Sequence, residues 1–85
     1  TSDNPRSEAP ASIIEDILKG CGDFAPLVEV DRAAAIALAV SQAHAGDTVL
    51  IAGKGHETYQ EVAGVRLPFS DADYAAKQLL QRRAA

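Results

Sequence analysis

Two short stretches of this 85-residue sequence carry residue types that bind and orient charged small molecules. One is Gly53-Lys54-Gly55-His56-Glu57, which directly follows an apolar run. Glycines let backbone N–H groups face an anion without side-chain obstruction, and Lys54 adds positive charge. Glu57 has the opposite chemistry, an acceptor for an amine. The other stretch is Asp3-Asn4-Pro5-Arg6. Asp and Asn before proline favour a turn, and Pro5 forbids helix at Asn4. Such a turn fixes the direction of the Asn4 amide and of the Arg6 guanidinium, whose fork grips a carboxylate bidentately. On pattern alone, each stretch reads more readily as a tight turn whose glycines are conformational, or as a surface turn with a solvated arginine.

Other chemistry finds little support. The glycine loop is neither a G-x-x-x-x-G-K-[ST] nor a G-x-G-x-x-G motif. His44, His56 and Cys21 have no metal-ligand spacing, which leaves no zinc site. His56 has no nucleophile within sequence reach to serve as a base for, and Ser12, Ser41 and Ser70 lie in no nucleophile elbow. Asp31-Arg32 reads as a helix cap plus an internal ion pair, and Tyr59 and Tyr74 as half-buried packing residues.

The elements that position these stretches alternate between helical and extended, which is an α/β pattern. Ile13, Ile14, Ile17 and Leu18 mark an amphipathic helix, begun by Pro10 or by a Ser12/Glu15 capping box and ended by Gly20 and Gly22. Leu27–Val30 reads as a short strand. Asp31 then caps an Ala-rich helix running to about Ala45, with Ile36, Val40 and Ala43 on one stripe. Thr48–Ala52 is a continuous apolar run suited to a parallel strand covered on both faces, and the glycine loop leaves its carboxyl end, where α/β sheets bind ligands. Ala63-Gly64 predicts a hairpin between 59–62 and 65–69 near the sheet edge. Ser70 begins a last helix stapled by Phe69 and Tyr74, whose Arg82-Arg83 tail reads as a solvated end.

Composition narrows the function. Hydrophobic residues at 47% and charged residues at 24% describe an ordinary soluble domain, with a core of small aliphatics because aromatics reach only 5%. Twelve acids against eight bases, net −4, oppose a nucleic-acid or anionic-membrane surface. One cysteine excludes an internal disulfide framework and fits a reducing, cytoplasmic setting. No run approaches a membrane span. The sequence has no Met, and the expectation is a piece of a longer protein.

Three segments then stand together: T-S-D-N-P-R at 1–6, D-R-x-x-A-I at 31–36 and V-L-I-A-G-K-G-H-E-x-Y-Q at 49–60. With Phe69-Ser70-Asp71 they resemble the C-terminal domain of the MurE family of Mur ligases over nearly the whole chain, and D-N-P-R followed about fifty residues later by G-K-G-H-E is highly specific. The resemblance implies the later part of a three-layer Rossmann-like domain, with parallel strands, helices and a C-terminal hairpin. Residues 1–85 would form part of the amino-acid-binding domain, with the UDP-sugar and ATPase domains upstream and absent from this chain.

The family uses ATP and Mg²⁺ to turn the D-glutamate carboxylate of UDP-MurNAc-L-Ala-D-Glu into an acyl phosphate, which the amine of a diamino acid attacks. Carried over, Asn4 and Arg6 would meet a meso-diaminopimelate carboxylate, Asp3 and Pro5 would shape the turn, and Gly53 and Glu57 would hold the distal amino acid group. Diaminopimelate carries one carboxylate more than lysine, and a charge-assisted bond to it from Arg6 contributes about 1.5–3 kcal/mol. Lysine would leave Arg6 unpaired, and discrimination by a missing partner reaches about 10⁴. In lysine-adding relatives the arginine of D-N-P-R is typically replaced.

The resemblance also implies that P-loop, metal ligands, carbamylated lysine and UDP-sugar site lie outside this chain. No catalytic or metal residue is therefore expected within it. The piece alone would be inactive and would need the rest of its own ligase chain. The competing readings are a stand-alone anion- or nucleotide-binding module, a purely structural half-domain, and a lysine-adding Mur ligase.

Overall fold

A computed structural model describes residues 1–84 of the chain. Pro10 opens α1 (Pro10–Lys19), at a position where the missing N–H costs nothing. The N-cap, Ala9, makes no side-chain bond, so proline rather than a Ser12/Glu15 box starts the helix. Ile14 is buried, whereas Ile17 is left 59% exposed. The apolar stripe of α1 is thus only partly covered.

Asp31 caps α2 (Arg32–Gln42), its carboxylate accepting from the Ala34 N–H at 3.3 Å. Ile36 and Val40 are buried one turn apart on the inward face. The helix stops three residues before the expected Ala45, with Ala43 in extended backbone. Asp47 takes the His44 N–H at 2.8 Å, a side-chain turn that competes with further helix.

β1 (Tyr59–Val62) and β2 (Val65–Pro68) pair antiparallel, with Tyr59 opposite Pro68 and Val62 opposite Val65. Ala63 and Gly64 make the connection at φ 53° and 77°, the left-handed pair whose twist matches a two-residue hairpin. Ser70 then caps α3 (Asp71–Ala84), accepting from the Asp73 N–H, and the Phe69 and Tyr74 rings staple its start 5.7 Å apart.

Helices α2 and α3 lie side by side and run in the same direction. Their first residues, Arg32 and Asp71, are in contact, and Arg82 near the end of α3 reaches the carbonyls of Val40 and Ala43 at the end of α2. Parallel neighbours require the intervening chain to return to the starting end. The run through Thr48–Ala52 makes that return.

One expectation is corrected. Among the described residues the sheet consists of β1 and β2 only, and neither Leu27–Val30 nor Thr48–Ala52 joins a ladder. A strand needs a neighbour bonded along its length, and these runs have only bonds at their last residues, Ser2 and Thr1 to the Val30 carbonyl and Arg32 to the Ala52 carbonyl; Leu27 is 76% and Leu50 87% exposed. The parallel sheet is therefore not assembled within this chain, which is a mixed α/β unit of helices and one hairpin.

Candidate recognition site

The D-N-P-R turn is seated between the chain before α2 and the first strand of the hairpin. Ser2 donates its hydroxyl to the Val30 carbonyl at 2.7 Å and accepts from Gln60 Nε2 at 2.9 Å. Asn4 Oδ1 accepts from the Glu61 N–H at 2.7 Å. One residue pair further, the Arg6 N–H donates to the Glu61 carbonyl at 3.0 Å and the Arg6 carbonyl accepts from Ala63 at 2.6 Å, an isolated parallel bridge with Val62.

Arg6 sits at φ 55°, left-handed backbone that costs a non-glycine residue about 1–2 kcal/mol. The two backbone bonds over-determine that conformation. Pro5 is buried, and the Arg6 side chain remains exposed.

The glycine loop is held from beneath. Gly53 has φ 108°, and a Cβ there would lie 3.0 Å from Asp3 Oδ2, so only glycine allows this close approach. Lys54 turns inward: its side chain is fully buried, donating to the Tyr59 carbonyl at 3.0 Å and standing 3.0 Å from Asp3 Oδ1. The expectation that Lys54 offers its charge to a bound anion is thereby corrected. Its charge is matched internally by Asp3, whose buried Oδ1 makes no aligned hydrogen bond and is held by charge alone. Glu57 donates its N–H to the Lys54 carbonyl at 3.1 Å, closing the loop, and His56 is exposed.

Beneath both motifs lies the Arg32 guanidinium, 3% exposed. Nε and Nη2 grip the two Asp71 carboxylate oxygens at 2.7 and 2.6 Å. Nη1 donates to the Ser2 carbonyl and Nη2 to the Ala52 carbonyl, each at 3.0 Å. The hydrogen bond to Asp71 raises the pKa of Arg32, and the charges of Asp71 and Asp3 add to it against the opposing effect of burial. One side chain thus ties together α2, α3, the residue before D-N-P-R and the residue before G-K-G-H-E.

A cavity of about 240 Å³ opens between the D-N-P-R turn and α1. Asp3, Asn4, Pro5, Arg6 and Glu57 lie on its wall, faced by the isoleucines of α1. Five of the six expected site residues are thus brought together. Gly53 is not on the wall and stands behind Asp3.

Three contributors escaped sequence reasoning. Arg32 was legible as half of an ion pair, but its partner 39 positions on was not. Lys54 looked like a ligand-facing cation. Arg82, expected in solvent, donates to the carbonyls of Val40 and Ala43 and so satisfies the frayed end of α2.

The cavity thus sets an apolar wall beside a guanidinium, an amide and a carboxylate, groups able to meet both charges of a zwitterion. Among the described residues, no three His, Cys, Asp or Glu side chains come together to hold a metal. Residues 1–55 match the family described as Mur ligase, glutamate ligase domain, and the chain belongs to that family.

Similar proteins agree with the motif reading. The chain is 58% identical over 79 residues to the UDP-N-acetylmuramoyl-L-alanyl-D-glutamate–2,6-diaminopimelate ligase of Chromobacterium violaceum, covering 93% of this chain and 16% of that protein. It is 59% identical over 83 residues to the same-named ligase of Acidovorax sp. strain JS42, covering 96% and 17%. A solved structure of a ligase of this name superimposes with a TM-score of 0.85 at 43% identity, again over 96% of this chain and 17% of the other. The chain therefore spans about one sixth of the length of these relatives.

Proposed function

We propose that this chain is the amino-acid-recognition part of an ATP-dependent ligase that adds meso-diaminopimelate to UDP-MurNAc-L-Ala-D-Glu during cytoplasmic peptidoglycan synthesis. The observation that carries the reading is the shared cavity, where Arg6 and Glu57 stand on one wall although 51 positions separate them in the chain. A diamino dicarboxylic acid presents an ammonium and a carboxylate on the same carbon, and the cavity offers a partner for each.

Arg6 grips the carboxylate. Asn4 spends its Oδ1 on the Glu61 N–H, which leaves the Nδ2 donors for the same carboxylate. Glu57 accepts from the adjacent ammonium. Pro5 and Asp3 shape the turn, and Gly53 shapes it from behind. With one end of the amino acid held this way, its other amine is free to reach an acyl phosphate formed elsewhere in the parent chain. Holding the reactants in line is the whole contribution of these residues, and such positioning is a major source of rate.

ATP and Mg²⁺ belong to the ligase reaction, and among the described residues no three His, Cys, Asp or Glu side chains come together to hold the metal. The chain would act as the later part of a Rossmann-like C-terminal domain, downstream of the UDP-sugar and ATPase domains. The uncovered runs Leu27–Val30 and Thr48–Ala52 are suited to pairing with strands from the parent chain. The inward turn of Lys54 favours amino-acid recognition over a stand-alone anion cradle at the glycine loop.

The test is the intact parent ligase assayed with meso-diaminopimelate against L-lysine. Strong preference for diaminopimelate is expected, and Arg6→Ala should lower kcat/KM for it by about 10- to 150-fold, the loss of one charge-assisted bond. Lysine used equally well, or an Arg6→Ala variant that keeps full activity, would overturn the reading.

A further inference from the structure

Two recognition motifs far apart in the chain must be held at one fixed separation if they are to grip opposite charges of one small molecule. The backbone bonds of Arg6 run to Glu61 and Ala63 of the hairpin, that of Ser2 just before the turn runs to Val30, and the glycine loop closes on itself through Glu57 and Lys54. Direct side-chain contact between the motifs comes from Lys54 and Asp3. We propose that Lys54 is a positioning residue that sets the glycine loop, and with it Glu57, against the D-N-P-R turn.

Three observations carry this. The Lys54 side chain is fully buried, so its ammonium cannot serve solvent or a ligand at the surface. Its partners are one from each side: the Asp3 carboxylate at 3.0 Å, and the Tyr59 carbonyl at 3.0 Å just beyond the loop. Gly53, immediately before it, admits the Asp3 carboxylate to a distance that a Cβ would contest.

The neighbouring charges also balance. Arg32 and Lys54 face Asp71 and Asp3, and Arg32 Nη2 would lie 4.0 Å from a Cβ on Gly53. Arg32 anchors the chain just before each motif, at Ser2 and Ala52, while Lys54 joins the motifs themselves. A buried lysine that exchanges water for one carboxylate and one carbonyl is held in place only while both partners stay put. Its position therefore reports, and enforces, the spacing between Asn4 and Arg6 on one side and Glu57 on the other.

This inference rests on the proposed amino-acid site for its kinetic test, and a second measurement frees it from that site. In the intact parent ligase, Lys54→Met should raise KM for meso-diaminopimelate about tenfold or more. The value of kcat and the KM values for ATP and UDP-MurNAc-L-Ala-D-Glu should stay within about threefold. Lys54→Arg, which keeps the charge, should recover part of the loss. Asp3→Asn should raise the same KM and add little in the Lys54→Met background, since both remove one contact.

Independently of any ligand, amide hydrogen exchange at Arg6 and Glu61, whose N–H groups seat the D-N-P-R turn, should quicken about tenfold in Lys54→Met while the α2 amides stay unchanged. Unchanged exchange at those two amides, an unchanged amino-acid KM beside a working Arg6→Ala control, or an equal loss for all three substrates would each overturn the positioning role. If Arg6→Ala leaves amino-acid use intact, the functional reading fails on its own, and the exchange result alone decides the role of Lys54. Should Lys54→Met not accumulate as folded protein, Asp3→Asn carries both measurements.

Discussion

The two ends of the α2–α3 pair are built from opposite materials. At the starting end, Arg32 and Asp71 are nearly excluded from water, and all three guanidinium nitrogens donate to fixed acceptors. At the far end, Val40, Val49, Ile51 and Leu79 line a mainly apolar cleft of about 580 Å³, whose wall also includes His44, Asp47 and Arg82. A guanidinium fork is directional, so it dictates where each partner must stand. Apolar contact rewards burial in any arrangement that excludes water. Both candidate recognition motifs leave from the directional end, where Ser2 and Ala52 are held by Arg32. Specific geometry is thus concentrated where a ligand would need it.

The contrast can be broken most forcefully at Arg32. Removing one partner of a buried pair strands the other charge, and Arg32→Ala should destabilise the fold by about 3–5 kcal/mol in urea unfolding of the parent chain. An apolar replacement of both, Arg32→Met with Asp71→Leu, should recover much of that stability yet still weaken amino-acid binding, since the carbonyls of Ser2 and Ala52 lose their anchor. A stable double variant with normal binding would show that the network serves stability only.

The sign of the pKa shift makes the contribution of Arg32 insensitive to pH near neutrality. A raised folded pKa stabilises fully below the unfolded value, and the effect fades only as pH climbs through the folded one. For an arginine that lies far above roughly pH 6–9, so the difference between parent and Arg32→Ala should be flat across that window.

At the apolar end the expected effect is smaller. Arg82→Ala frees two carbonyls at the end of α2 that water can reach, and should cost about 1–2 kcal/mol in the same unfolding measurement. A loss as large as that of Arg32→Ala would erase the distinction between the two ends. The smallest effect belongs to the hairpin surface, where Arg66 pairs with Glu61 at 3.3 Å and covers the Tyr59 ring at 4.4 Å. The Arg66 side chain is 66% exposed, and Arg66→Ala should change stability by less than about 1 kcal/mol, checked by the midpoint of denaturation.

Much of the local structure was legible because it depends on neighbours in sequence. Pro10 at a helix start, Asp31 as a cap, Ala63-Gly64 as a left-handed turn and the Phe69–Tyr74 staple each follow from steric or hydrogen-bonding rules acting over a few residues. α2 ends three residues short of the expected Ala45 because Asp47 captures the His44 N–H. The strand readings at 27–30 and 48–52 failed for a different reason. An apolar run specifies a preference for burial, whereas a strand exists only where a neighbour completes its ladder.

Sequence by itself thus determined the composition of the candidate site: an arginine, an amide and a carboxylate in two motifs of high specificity. Only the tertiary structure decided how those groups are used. It turned Lys54 from a surface cation into a buried partner of Asp3, set Gly53 behind that aspartate rather than on the cavity wall, and gave Arg32 a partner in Asp71. Charge type is written in one residue, but whether that charge faces solvent or another charge depends on which distant segments fold against it.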